Sequence, residues 1–234
     1  MKRILLTCTF ALMVLFSFSQ HLSFGAGIGY GTYSMGTLKD FQAWRLQQTA
    51  LPLKTTENYE SSPFYRAEIA LNDWGFLDKI GVFYAFSSTG ARSTVSDYSG
   101  RVDFDALING NQLGVAFQKD FYSENNWSAG FYMDGSWLLS SLKMTDYLEL
   151  VSPSKIVQKE SYRFEAKGFS AEPGLALKYK MKPLVLQISL GYLLDFSGKL
   201  YLEDTKEQWL AVDRTAVEPQ WSGLRGAVQC FWEF

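Results

Sequence analysis

The sequence predicts an all-β fold: eight antiparallel up-and-down strands closed into a barrel that crosses a membrane. Three observations predict it. Apolar residues alternate with small or polar ones through eight separate segments, and the connections between those segments alternate between short and long. The last segment, Gly223 to Phe234, is itself an alternating strand that ends on an aromatic ring, where a polar tail is usual.

Residues 1–19 read as a secretory signal peptide. Lys2 and Arg3 are followed by an apolar run from Ile4 to Phe18, with Ser17 and Ser19 as the small residues before a cut after Ser19. That run, about 15 residues, is short of the roughly 20 a spanning helix needs, and no later apolar stretch is longer. Of 22 basic and 24 acidic residues the cut removes Lys2 and Arg3, leaving a mature chain of net charge -4. Such a balance offers nothing to nucleic acid. Only Cys230 of the two cysteines survives cleavage, so an intrachain disulfide is not available. Aromatic residues are 16% of the chain while mean hydropathy is only -0.08, which suits alternating strands better than greasy helices.

The strands follow in order. Leu22, Phe24, Ala26, Ile28, Tyr30 and Thr32 oppose Ser23, Gly25, Gly27, Gly29 and Gly31. Tyr65, Ala67, Ile69 and Leu71 oppose Phe64, Arg66, Glu68 and Ala70; Ile80, Val82, Tyr84 and Phe86 oppose Gly81, Phe83, Ala85 and Ser87. Leu113, Val115 and Phe117 face away from Gln112, Gly114, Ala116 and Gln118, and Trp127 to Trp137 continues the pattern with Ser128, Asp134 and Ser136 on its polar side. Ala171 to Tyr179, Leu184 to Leu194 and Leu224 to Phe234 complete the set, with Glu172, Lys178, Gln187, Arg225 and Gln229 on the polar face. Long connections are expected near 34–61, 88–111, 139–162 and 195–220, and short turns between the remaining strands. A membrane barrel with periplasmic turns and extracellular loops has this alternation. Ten strands result instead if the second or third long connection hides a hairpin.

The polar face decides which side is outside. It carries Arg66, Glu68, Asp134, Glu172, Lys178 and Arg225, three charges of each sign, which hydrocarbon excludes and a lumen can pair. Aromatics fall where two interfacial girdles are expected: Trp127, Tyr179, Trp232 and Phe234 at the turn end, Tyr33, Tyr65, Trp137 and Tyr192 at the loop end. Two places strain the pattern. Pro173 has no N–H for a ladder and calls for a bulge or unpaired position, and the alternation changes phase between Phe104 and Leu113, as a bulge near Gly110 would make it do.

The signal, the glycine-rich "FGAGIGYGTYSM", the connection pattern and the ending "CFWEF" together resemble small outer-membrane β-barrels of Gram-negative bacteria, the OmpA/OmpX-type eight-stranded proteins and the outer-membrane β-barrel domain family common in Bacteroidota. The resemblance implies outer-membrane lipid as surroundings. It also implies that the barrel-assembly machinery reads Phe234 and Trp232, with Cys230 a weaker match where a larger apolar residue is commoner.

Eight strands leave a lumen that side chains fill, so the six charged residues, with Gln112, Gln118, Gln187 and Gln229, are expected to form a structural polar network. The lone histidine, His21, sits at the start of the first strand, so no histidine-dependent triad can be built at the loop end. Asp103 with Asp105 reads as a solvated pair, and Glu203 with Asp204 as at most a weak Ca²⁺ site. No catalysis, cofactor or resident metal is expected. Within "GTLKDFQAWRLQQ", Leu38, Phe41 and Trp44 recur at every third residue and predict a short helix that covers the barrel mouth. The functional expectation is a non-enzymatic barrel with a structural, surface-contact or secretion-accessory role, with a surface or periplasmic partner left unidentified. The alternative, resembling OmpW-type barrels, is a narrow channel or transporter for small or hydrophobic solutes.

Overall fold

The computed structural model describes residues 22–49, 52–98, 100–151, 156–205 and 207–234. The expected signal peptide and His21 lie outside them.

Eight strands close on themselves: β1 (Leu22–Gly31), β3 (Ser62–Trp74), β4 (Leu77–Asp97), β5 (Gly100–Glu124), β6 (Trp127–Leu150), β7 (Ile156–Met181), β8 (Leu184–Ser197) and β12 (Gly223–Glu233), with β12 pairing back onto β1. Every ring pairing is antiparallel between sequence neighbours in the ring, so the wall has no open edge at membrane depth. Outside the ring, β2 (Lys54–Asn58) extends the wall beside β4, β9 (Tyr201–Leu202) beside β7, and β10 (Ala211–Val212) pairs with β11 (Thr215–Ala216).

The short turns come out where the alternation breaks. Between β3 and β4 the chain reverses through Asp73 and Gly75, both at positive φ (56° and 63°), a conformation glycine adopts without strain. The long connections differ from expectation. Segments 88–111 and 139–162 are not loops over most of their length: they continue the ladders of β4–β5 and β6–β7 in register. Neither adds a hairpin to the ring, which therefore has eight strands and not ten.

The bulge expected near Gly110 is also absent. Both ladders of β5 run through Gly110 without a shift, and the irregularity lies at Asp120/Tyr122 against β6. What inverts between Phe104 and Leu113 is hydropathy. Even-numbered residues of β5 point inward throughout, but Gln112 and Gln118 meet a polar lumen whereas Ala106 and Ile108 meet an apolar core. At Pro173 the chain stays flush with β6, opposite Met133. Its ladder to β8 lapses between Ala171 and Gly174 and resumes in the same register, so the imino position is unpaired and no residue is inserted.

Helix α1 (Gly36–Gln48) spans the predicted segment. Its first turn has no cap from its own sequence. Instead Gln220 Oε1 accepts from the Thr37 N–H at 3.2 Å, and Thr37 Oγ1 donates to the Glu218 carbonyl at 2.8 Å. The helix N-terminus is thus capped by the distant segment it packs against.

Candidate functional site

All six charged residues assigned to the lumen point into it, and each is in an ion pair. Arg66 donates to Glu68 Oε2 at 2.8 Å and pairs with Asp134; Arg225 pairs with Glu172 at 2.9 Å and donates to Gln112 Oε1 at 2.9 Å. Tyr132 donates to Glu172 at 2.8 Å, and Gln112 passes the network on to Ser170 and Ser136. Two members were not anticipated. Lys79 reaches Glu68 Oε1 at 2.8 Å, and Asp120 receives Lys178 at 2.7 Å. Both lie at strand ends next to segments read as turns, where alternation gives no face.

The cations are also sandwiched against rings: Arg66 over Phe83 at 3.9 Å, Lys79 over Phe231 at 4.2 Å, Arg225 over Phe64 at 3.7 Å. Glycines make room for these rings, since a Cβ at Gly29 would overlap Phe64 and one at Gly25 would overlap Phe231. The space left among Arg66, Lys79, Tyr132, Asp134 and Glu172 is about 10 Å³, whereas Lys178 and Asp120 line a cleft of about 1010 Å³ open at the turn end. The smaller space holds about one water and is not an aqueous path.

Above this layer the lumen turns apolar. Leu38 and Phe41 of α1 pack with Tyr33, Met35, Tyr59, Ile108, Leu138, Leu142, Phe164 and Trp221, and burial holds the Tyr59 phenol well above its ordinary pKa. Two polar clasps fix the helix to the wall: Arg45 donates to both carboxylate oxygens of Asp146 at 2.8 Å while stacking over Phe104 at 4.5 Å, and Gln42 donates to Ser93 at 2.8 Å. Helix α1 is therefore seated within the mouth as a plug. Tyr33 belongs to that plug, 5% exposed, and not to an outer girdle as expected.

The exterior is the inverse of the lumen. Ile28, Tyr65, Ile69, Val82, Leu113, Phe131, Leu175, Ile188, Leu190 and Val228 are all more than a third exposed and all point outward from the wall. Such an apolar belt far exceeds the patches a monomer exposes to water. Aromatic pairs stud its two margins: Trp127–Tyr179 (4.6 Å) and Phe24–Phe234 (5.6 Å) at the turn end, Trp137–Phe169 (4.7 Å) at the other. Charge inside and grease outside is the arrangement of a barrel whose solvent is lipid. The fold is that of a small outer-membrane-type β-barrel.

No protein-family model matches the sequence, and no curated protein matches it. Among solved structures it is similar to Ail, the attachment invasion locus protein of Yersinia pestis, in complex with the heparin analogue sucrose octasulfate (13% identity, 92% of this chain and 99% of that chain, TM-score 0.35) and to Ail alone (12%, 92% and 99%, TM-score 0.33). A TM-score in this range adds no weight to the ladder and the inside-out polarity.

The remaining sequence candidates are separated by the fold. Asp103 and Asp105 sit on the outer face of β5, each held by an arginine, Arg101 at 2.7 Å and Arg92 at 2.6 Å. Among the described residues no group of three or more His, Cys, Asp or Glu is placed to hold a metal ion. Trp232 and Phe234 point outward at the turn end, and the Phe234 N–H donates to the Leu22 carbonyl at 3.1 Å, stitching the last residue to the first strand.

Proposed function

We propose that the protein is a non-conducting, non-enzymatic barrel of the outer membrane whose projecting wall is a contact surface. One observation carries this reading: the strands have two lengths. β1, β3, β8 and β12 have 10, 13, 14 and 11 residues, near the 9–11 that cross the hydrocarbon, whereas β4 to β7 have 21, 25, 24 and 26. From Ser88 to Asp97 the excess amounts to roughly 30 Å of strand at about 3.3 Å per residue.

This wall is built for contact. Its inner face is covered by α1 near the barrel, and its top exposes apolar side chains on both faces: Ile156 inward and Val157 outward, each about half exposed, with Val151 and the 96% exposed Tyr98 at the hairpin tips. Beyond Arg163, β7 pairs only with β6 among the described residues, so Ile156–Tyr162 presents an open strand edge. The attachment role named for Ail is of the same kind. Cells displaying the full chain are expected to attach to surfaces better than cells whose two tall hairpins are trimmed to Thr94–Asp103 and Tyr147–Lys159, one rung that keeps every clasp of α1, with barrel assembly unchanged. Equal attachment would overturn the contact role.

The narrow-transporter alternative requires a path that two layers close, the ionic network and the plug. In planar bilayers the purified protein is expected to remain silent, and reproducible conductance steps that change on replacing Arg225 would contradict the reading. The role of Phe234 and Trp232 as an assembly signal is part of the same proposal. Deleting Phe234 is expected to slow insertion into the outer membrane in cells by about tenfold or more, because it removes both the terminal ring and the closing bond to Leu22; pulse-chase of the heat-modifiable form measures it.

A further inference from the structure

We propose that the outer face of the wall, at the level of Lys143 and Arg163, binds the phosphorylated headgroup sugar of an outer-leaflet glycolipid. The site rests on the membrane placement proposed above. Three observations converge on it.

Lys143 of β6 and Arg163 of β7 are direct cross-strand partners on the outward face. Like charges so opposed repel and destabilise the ladder. The protein offsets this only in part: Lys143 has no ion pair among the described residues, and Arg163 has Glu203 at 3.4 Å, both side chains of that pair about half exposed, with Glu165 one rung below on the same face. An anion bound between them would convert the repulsion into two charge-assisted hydrogen bonds.

Beside Lys143 the same face is concave. A cup of about 260 Å³ is floored by Gly90 and Leu107 and walled by Glu57, Arg92, Asp105, Lys143 and Thr145. Asp105 already holds Arg92 at 2.6 Å, yet a carboxylate has further lone pairs with which to accept from hydroxyls. Leu107, 47% exposed, offers the flat apolar floor that suits the C–H face of a pyranose. Lys143 and Arg163 on one side, and two carboxylates, Glu57 and Asp105, with an apolar floor on the other, fit the hydroxyls and phosphate of a sugar phosphate and repel a bare anion from the cup itself.

Height selects the lipid. The outward face is apolar up to the rung Tyr84–Leu113–Trp137–Phe169, mixed at Phe86–Asn111–Leu139–Lys167, polar at Ser88–Asn109–Ser141–Glu165, and only then carries Lys143 and Arg163. Six residues separate Trp137 from Lys143, roughly 20 Å along the strand. A glycerophosphate headgroup ends below that level, whereas a carbohydrate headgroup reaches it. Lys167, one rung above Phe169, stands at the level of phosphates nearest the hydrocarbon.

The test titrates the purified barrel in nanodiscs with a glycolipid bearing phosphorylated core sugars, with its phosphatase-treated form, and with a soluble sugar phosphate, read by native mass spectrometry. The phosphorylated glycolipid is expected to bind best, and Lys143→Gln and Arg163→Gln each to weaken it by about tenfold. Neither variant should lower the urea midpoint, and Lys143→Gln should raise it, because it relieves the opposed charges. Lys180→Gln at the turn end should change nothing. Unchanged binding in both variants, or equal binding of the dephosphorylated lipid, would overturn the site. Equally tight binding of the soluble sugar phosphate would overturn the membrane-headgroup assignment. A chain that failed to enter nanodiscs at all would instead sink the membrane reading, before any titration.

Discussion

Replacing Arg66 by methionine is expected to destabilise the folded barrel by about 3–5 kcal/mol, the cost of removing one partner from a buried ionic group. Arg66 is the counter-ion of Asp134, whose side chain is 4% exposed, and one of two for Glu68, which keeps Lys79. The stranded charge is therefore Asp134. The double variant Arg66→Met with Asp134→Leu removes both ends of that pair and leaves Lys79–Glu68 intact, so most of the loss should be recovered. Urea titration of the lipid-embedded barrel, followed by tryptophan emission, measures both. A single variant as stable as the parent, or a double variant worse than the single, would contradict the paired lumen.

Trp221→Ala is expected to produce the second large effect. Trp221 is 1% exposed, donates from Nε1 to Ser140 at 2.9 Å, and stands edge-on to Tyr33 at 4.9 Å. It lies where the ionic layer gives way to the plug, so its removal opens a cavity beneath α1. A loss of about 3–5 kcal/mol is expected for such a truncation. The more specific expectation concerns place: amide exchange in Gly36–Gln48 should accelerate strongly, while the ladders of β1 and β12 near Gly27 and Gln229 stay protected. Conductance should remain absent, because the Arg66–Glu68–Lys79 layer below the plug is untouched. Accelerated exchange spread evenly through the ring would show that the plug and the barrel are one cooperative unit.

These two residues also show where the sequence was informative. Arg66 was legible because membrane-depth strands obey one rule, apolar outward and polar inward, and each of the six charges fell on the minority face. The rule fails above the lipid. There the outward face meets water and the inward face meets α1, so Asp103 and Asp105 point out while Ala106 and Ile108 point in, and the hydropathy pattern reverses on an unbroken backbone. A reversal of this kind looks like a bulge at Gly110 and like loops at 88–111 and 139–162. Tyr33 was misplaced for the same reason, as a ring that ends a membrane strand but turns into the plug. Lys79 and Asp120 are not legible because both sit where a strand runs into a turn, so the alternation assigns them no face. The helix at Gly36–Gln48 was legible through Leu38, Phe41 and Trp44, but its cap was not, since Gln220 supplies it from the far end of the chain.

Oxygen and water-soluble collider accessibility of spin labels, placed one at a time from Tyr65 to Ala70 in a Cys230→Ala background in lipid vesicles, tests the central claim most directly. Labels at 65, 67 and 69 should be open to oxygen and closed to the polar reagent, and labels at 66, 68 and 70 should be closed to both, a strict period of two set by lipid outside and paired charge inside. Polar-reagent access at 65, 67 and 69, in a chain that remains folded and monomeric without lipid or detergent, would contradict it.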